Sequence, residues 1–246
     1  AILPSEIIVA DSVWNLSAAS ASIDSSDIQI NGFAFVNQNQ RLTIDGSISK
    51  DKTRQMQIGL EGFDLGILSG YLSKPTSVKG HISGTVNVSD FYDQRIFNSD
   101  LKINGLEFRN QSFGNVSMVN FWDRSTETIH GDISISQGSR TTLTGSGYIH
   151  PKTKQLDFLF DLDNQSIGFM NALIRETFSN FHGDGSGRVR VSGTPDKLLM
   201  DGAVFCKNAG LTIDYTQVSY LLNDSVRFAG DKIIFDKIAI SDITGN

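Results

Sequence analysis

Three aspartates on one short run are the residues whose type is best suited to acid–base chemistry. Asp157, Asp161 and Asp163 lie in the segment QLDFLFDLDN, and paired carboxylates are what glycoside hydrolysis requires. The run alternates apolar and polar residues, so even spacing directs all three carboxylates to the same side of one strand. The pattern therefore favours solvated surface charge over a catalytic pair.

The other residues with reactive side chains do not form a recognisable motif. Gly183–Gly187 (GDGSG) has the composition of a phosphate-binding loop, but it precedes a strand and lacks the lysine, so turn chemistry explains it. Cys206 has no partner for an intrachain disulfide and lies on an alternating run, which predicts a small buried apolar residue. Four histidines are scattered without metal-ligand spacing: His81, His130, His150 and His182. We therefore predict a protein that is not an enzyme, with no catalytic residue, metal or cofactor.

Composition narrows the classes of partner. A net charge of −6 and a pI near 5.1 argue against nucleic acid, which needs clustered Lys and Arg. Hydrophobic residues make up 39%, enough for a core, and no run approaches the roughly 20 apolar residues of a membrane helix. Ala1–Val9 is neither a signal peptide nor an anchor. Because the chain begins without Met and ends in the middle of a pattern, we expect a segment of a longer protein.

Alternation of apolar and polar residues runs through most of the chain from Ser26 onward and predicts many half-apolar strands. One longer helix is predicted over Ser166–Phe181, where Ile167, Met170, Ile174 and Phe178 share a face and Ser166 can cap. One or two helical turns are predicted near Leu65–Leu72. The fold class is therefore mainly β, with one or two short helices.

An internal repeat of about a hundred residues organises these strands. LTIDGSIS at 42–49 matches LTGSGYIH at 143–150, and GHISGTVNVSD at 80–90 matches GDGSGRVRVSG at 183–193. Gly105-Leu106 likewise matches Gly210-Leu211, and Phe235–Asn246 is similar to the start of a further copy. We predict a leading β segment at 1–40, one module at 41–142, and a second at 143–246 that contains the helix near 166–181.

Stacked modules of this kind predict an elongated, curled antiparallel sheet, resembling a solenoid. The sheet could stay open as a trough or close into a flattened roll, and alternation alone fits both. An open apolar trough would be a larger exposed patch than monomers usually carry, and would indicate a ligand or partner.

One set of apolar residues is predicted to share the inward face of these strands. They are either ordinary core or the lining of a groove for acyl chains. The residues are Ile82, Val86, Val88, Phe158, Phe160, Val189, Val191, Met200, Val204 and Ile213.

Several of these segments, taken in order, are similar to a known family. GHISGTVNVSD and LKINGLEF are followed by GDGSGRVRVSGTPDKLLMDGAVFCKNAGLTIDY and a closing DITGN. This succession resembles the repeat region of the TamB/AsmA-like family. LTIDGSIS after INGFAFVNQNQ is similar to the Bacteroidetes forms in particular. The resemblance spans roughly residues 28–246.

The resemblance implies a function as well as a fold. Proteins of this family are anchored in the inner membrane and cross the periplasm as a long curled β-sheet, whose apolar groove carries phospholipid towards the outer membrane. Their partner is an outer-membrane barrel of the TamA or BamA type, and they contribute to barrel assembly. This chain, which lacks the anchor, would be a periplasmic segment that binds acyl chains. The predicted helix would interrupt a pure β groove.

A second hypothesis needs no lipid. The same repeat could form a structural or adhesin-like binding module whose inner face is filled by its own side chains.

Overall fold

In the residues that the structure describes, the chain forms one sheet of eighteen strands with two short helical segments. The structure, a computed structural model, describes residues 1–9, 12–24, 27–69, 77–173, 178–234 and 241–242. The strands are β1 Ser5–Val9, β2 Ser12–Leu16, β3 Ser20–Ile23, β4 Ile28–Asn37, β5 Gln40–Ile48, β6 Gln55–Asp64, β7 Val78–Ser89, β8 Ile96–Phe108, β9 Gln111–Asp123, β10 Thr128–Gln137, β11 Arg140–Ile149, β12 Leu156–Ser166, β13 Phe178–Thr194, β14 Lys197–Ile213, β15 Val218–Leu222, β16 Ser225–Gly230, β17 Lys232–Ile234 and β18 Ser241–Asp242. The helices are α1 Gly66–Ser69 and α2 Met170–Leu173, the latter preceded by a 3-10 turn at Ile167–Phe169.

The strands form an antiparallel meander. From β4 to β14 each strand pairs with the strand before it and the strand after it. At one end β2 and β3 both pair with β4, and at the other end β15 and β16 both pair with β14. The sheet stays open and does not close into a barrel, so the predicted mainly β, antiparallel fold class is confirmed.

The surface area shows how open this arrangement is. The chain exposes 14865 Å², whereas a compact monomer of the same mass would expose about 10,800 Å². Among the described residues only fourteen apolar side chains are classed as buried. The core is therefore a thin layer along the sheet rather than the centre of a globule.

Five β-bulges lie on strands that all run in the same direction, four of them towards one rim of the sheet and the fifth, at Gly32, towards the other. In each bulge a Gly or Asn with φ between 46° and 70° leaves the ladder, as in bulges that begin with a left-handed residue. A polar side chain on the next strand, or just after it, accepts the hydrogen bond of the freed N–H. The pairs, N–H first, are Gly32–Asp45 at 2.6 Å, Gly62–Ser83 at 2.9 Å, Gly105–Asn115 at 2.9 Å, Asn164–Ser186 at 2.8 Å and Asn208–Asn223 at 2.6 Å.

A bulge bends its strand and increases the local twist, so we expect these bulges to curve the sheet. The five bulged residues also lie in similar four-residue segments of the sequence: INGF, LEGF, INGL, LDNQ and CKNA. The hundred-residue matches lie on strands six apart, β5 with β11 and β7 with β13. Gly105 corresponds in geometry to Asn208, not to Gly210, since Asn208 is the bulged residue of β14.

The predicted helix over Ser166–Phe181 is confirmed as far as Leu173 and is wrong from Phe178 onward. Ser166 does cap, its Oγ accepting from the Gly168 N–H, but the helical part ends at Leu173 among the described residues. From Phe178 the chain is strand β13, paired with β14. Asn171 explains the outcome, because its carboxamide donates to the Phe181 carbonyl at 2.8 Å and accepts from the Phe181 N–H at 2.8 Å. Pairing with the neighbouring strand thus overrides the helical spacing. Ile174, which the prediction placed on the helix, lies outside the described residues.

The short helix near Leu65 is confirmed as one turn, α1, while Tyr71 and Leu72 of that prediction lie outside the described residues. α1 follows β6 and α2 follows β12, so both helical segments sit six strands apart, like the sequence matches. The module boundaries at 40/41 and 142/143 stay a prediction. Most of Phe235–Asn246, the start of the expected third copy, is outside the described residues.

Candidate functional site

A single row of apolar residues crosses fourteen strands of the sheet. Each member of this central row is the direct cross-strand partner of the next, so all project from the same face, which we call the apolar face. The row contains only apolar residues and glycine: Leu16, Phe35, Leu42, Leu60, Gly84, Leu101, Met118, Ile133, Gly145, Phe160, Val189, Gly202, Phe228 and Ile233. With neighbouring strands about 4.8 Å apart, the row is about 60 Å long.

Two further rows flank the central row on the apolar face. The row on the side of the bulges at Gly62, Gly105, Asn164 and Asn208 is also wholly apolar or glycine: Phe63, Ile82, Ile103, Val116, Ile135, Leu143, Leu162, Gly187, Val204 and Val226. The row on the other side, which we call the rim-side row, is Ile44, Ile58, Val86, Ser99, Asn120, Gly131, Gly147, Phe158, Val191, Met200 and Gly230. Within these three rows, polar side chains occur only at Ser99 and Asn120 of the rim-side row, which hydrogen-bond to each other.

The structure brings nine of the ten predicted lining residues together on these rows or beside them. Val88 lies next to the rim-side row as the partner of Met56. Ile213 is the exception, since it lies beyond the bulge at Asn208 and pairs with Val218 of β15. Three of the ten are buried (Val88, Val189 and Val204), and the other seven are half-buried.

The apolar face is packed near its two ends and partly open between them. At one end Trp14, 1% exposed, stacks on Phe35 with ring centroids 4.7 Å apart and also contacts Phe63. At the other end Val189, Val204, Cys206, Ala209 and Val226 form a buried cluster. Between them Met118 of the central row is 37% exposed, whereas the neighbouring pair Val116 and Ile135 is buried. The accessible apolar surface in the middle of the face is therefore centred on Met118.

Aromatic rings form part of the floor of this surface. Phe158 and Phe160 lie 6.0 Å apart, beside the backbone of β11. A Cβ at Gly145 would lie 2.5 Å from the Phe160 ring, and a Cβ at Gly147 would lie 2.8 Å from the Phe158 ring. The glycines of β11 thus make room for rings that lie over the sheet, which fills this part of the face with the chain's own side chains.

The opposite face carries charge, and here the three aspartates are found. Asp161 pairs with Arg188 at 2.6 Å, and Asp163 pairs with Arg140 at 2.7 Å. Asp157 accepts from Arg190, and this hydrogen bond lowers the pKa of the Asp157 carboxyl and raises the pKa of the Arg190 guanidinium. Each carboxylate is paired with an arginine from a neighbouring strand, so the expectation of surface charge agrees with the geometry.

The remaining reactive residues stay apart. Cys206 is buried in the apolar cluster, and burial raises the pKa of its thiol, as expected for a structural residue. His130 stacks on Phe121 on the charged face, with ring centroids 5.2 Å apart. Gly183–Gly187 is part of strand β13. Within the described ranges no three His, Cys, Asp or Glu side chains gather in a way that could hold a metal ion.

The fold and this surface together define a class of protein: an open, curled antiparallel β-sheet with one continuous apolar face. Across the described part of the chain, no helix has the length and apolarity needed to span a bilayer. Comparisons with protein-family models, curated proteins and solved structures give no match.

Sequence reasoning identified the apolar face but missed two features. The bulge signature was within reach, because the left-handed Gly or Asn recurs at the third position of each four-residue segment. The second is a cavity between β8 and β9, which could not be foreseen because it depends on where these two paired strands separate.

Proposed function

We propose that this chain is a non-enzymatic segment that holds phospholipid acyl chains on its apolar face, in a protein that passes lipid towards the outer membrane. The observation that carries the proposal is the central row, in which fourteen successive cross-strand partners include no polar residue. Its length of about 60 Å is twice the roughly 30 Å hydrocarbon core of a bilayer.

The free energy of burying an acyl chain on the central row favours binding and also allows the chain to move along the row. Each CH₂ group of an acyl chain that leaves water gains about 0.8 kcal/mol. Because the row offers the same kind of surface at every strand, a chain shifted by one strand loses and gains similar contacts. Exposure of Met118 in the middle of the face gives an acyl chain a place to enter.

The remaining parts of the proposal rest on the resemblance to the TamB/AsmA-like repeat region. They are a periplasmic location within an inner-membrane-anchored protein, a TamA- or BamA-type barrel as partner, and a contribution to the assembly of outer-membrane proteins.

A second candidate is a structural or adhesin-like β module that carries no lipid. The observation that favours it is the pair of rings, Phe158 and Phe160, lying over the glycines of β11. If the whole face were filled in this way, no surface would remain for a ligand.

Lipid analysis of the purified chain separates the two candidates. We expect mass spectrometry to find phospholipid bound to the native protein, and Met118→Asp to reduce the amount about tenfold. A carboxylate beside an acyl chain costs more than the about 1.4 kcal/mol that a tenfold change represents.

Val119→Asp is the matched control. Val119 is the next residue, is 41% exposed and projects from the charged face as the partner of Asp132. The Val119→Asp variant should retain lipid at the wild-type level. Absence of lipid from the wild-type protein, or an equal loss in both variants, would favour the module without lipid.

A further inference from the structure

A cavity opens at one rim of the sheet where two strands separate. The last partners of β8 and β9 on this side are Ser99 and Asn120. Beyond them Ile96–Asn98 continues along β7, and Phe121–Asp123 continues along β10. The cavity left between the strands has a volume of about 250 Å³. We call it the rim cavity.

The lining of the rim cavity is rich in hydrogen-bond donors. Its polar residues are two cations and four neutral groups that can donate: Lys52, Arg124, Thr53, Gln55, Ser89 and Asn98. None of the lining residues is acidic, although Asp90, Asp93 and Asp123 lie near the same rim. A cavity that presents donors and positive charge without a carboxylate suits an anion with several oxygens, above all a phosphate.

The two cations differ in how they are held. Within the described part of the chain Arg124 makes no ion pair and is exposed. Lys52 is fixed by Asp93 at 2.6 Å and Asp90 at 3.4 Å, and the hydrogen bond to Asp93 raises the pKa of its ammonium. Arg124 is therefore the free cation and Lys52 a positioned donor. An arginine fork can bind two phosphate oxygens at once.

The rim cavity lies in the gap between β8 and β9, where the two faces of the sheet meet. Its lining residues Gln55 and Ser89 are cross-strand partners on the charged face. Trp122 projects from the apolar face, because it is the cross-strand partner of Ile129, and its backbone N–H donates to Asn98 Oδ1 at 2.7 Å across the gap. On the apolar face of β9, Asn120 lies between Trp122 and the exposed Met118, so these side chains lead from the cavity to the central row.

We propose that the rim cavity binds the phosphate group of a phospholipid whose acyl chains lie on the apolar face. The proposal rests on the proposed function and adds a headgroup site to it. Arg124 binds the phosphate oxygens, the neutral donors complete the site, and the acyl chains pass Trp122 and Asn120 to reach the central row. Free inorganic phosphate shares this chemistry, so the test must separate the two sources.

Tryptophan fluorescence reports directly on ligand binding in the rim cavity. Trp122 lines the cavity, whereas the other tryptophan, Trp14, is 1% exposed within an aromatic stack. The full chain is titrated with four probes: inorganic phosphate, glycerol phosphate, dihexanoyl phosphatidate below its micelle concentration, and uncharged dihexanoylglycerol. The variant is Arg124→Gln, and the matched control is Arg41→Gln, an exposed arginine at the start of β5 on the opposite rim.

We expect dihexanoyl phosphatidate to bind at least tenfold more tightly than glycerol phosphate, and Arg124→Gln to weaken both about tenfold or more. Arg41→Gln should match the wild type. If no phosphate probe changes the emission, or if Arg124→Gln responds like the wild type, the headgroup site is wrong. In that case, binding of dihexanoylglycerol would still support the proposal that acyl chains lie on the apolar face. If the phosphate probes bind equally and dihexanoylglycerol does not bind, the cavity takes free phosphate and the lipid assignment is overturned.

Discussion

Gly84→Ala is expected to destabilise the protein by about 3 kcal/mol or more, although it adds a single methyl group. Gly84 has a φ of +135°, and a Cβ there would lie 2.0 Å from the Asp100 carbonyl oxygen of the neighbouring strand. Strands β7 and β8 would have to move apart in the middle of the central row. We expect the urea midpoint, followed by far-UV circular dichroism, to fall clearly below that of the wild type.

Gly105→Asn is the control for this substitution. Gly105 has a φ of +63°, its Cβ would meet nothing within 4 Å, and Asn already occupies the equivalent bulges at Asn164 and Asn208. Because Asn tolerates the left-handed conformation, we expect a change within about 1 kcal/mol. An unchanged midpoint for Gly84→Ala would mean that the two backbones do not approach as closely as described.

Val204→Asp is expected to cost about 3–5 kcal/mol, because it places a carboxylate without a partner among apolar side chains. Val204 is 8% exposed and belongs to the buried cluster with Val189 and Val226. Burial would raise the pKa of the new carboxyl above the unfolded value of about 3.9. The loss of stability should therefore be full near neutral pH and shrink as the pH falls towards 4.

Met118→Asp places the same charge on the same face, where the side chain is 37% exposed. We expect its free energy of unfolding to stay within about 1 kcal/mol of the wild-type value, because the carboxylate keeps contact with water. The contrast between the two positions is measured by urea unfolding at pH 7. Equal, large losses at both positions would mean that the face is packed throughout, as in a module that holds no ligand.

Much of the fold could be predicted because strand patterning is local. Alternation at Ile82, Val86 and Val88 requires only that one face be buried, and the structure places these residues as expected. The end of the helix predicted over Ser166–Phe181 was wrong for the opposite reason. Its spacing was helical, but Asn171 and strand β14 offer the backbone of residues 178–182 a better set of hydrogen bonds, and such pairing is not visible in local sequence.

Part of the candidate site could likewise be predicted from the sequence, and part could not. Nine of the ten predicted lining residues meet on the apolar face because their strands keep a regular register, whereas Ile213 lies elsewhere because the bulge at Asn208 shifts that register. The rim cavity arises where β8 and β9 stop pairing after Ser99 and Asn120. No residue type or spacing predicts such a separation, because it depends on where two paired strands diverge.

The proposal that acyl chains lie on the apolar face is tested most directly at two adjacent residues, Met118 and Val119. They are similarly exposed, at 37% and 41%, and project from opposite faces of β9. A photo-cross-linking amino acid placed at either position, in cells with radiolabelled phospholipid, compares the two faces at the same point in the sheet. We expect lipid to be captured at position 118 and not at position 119. Equal capture at both positions, or none at 118, would contradict the proposal.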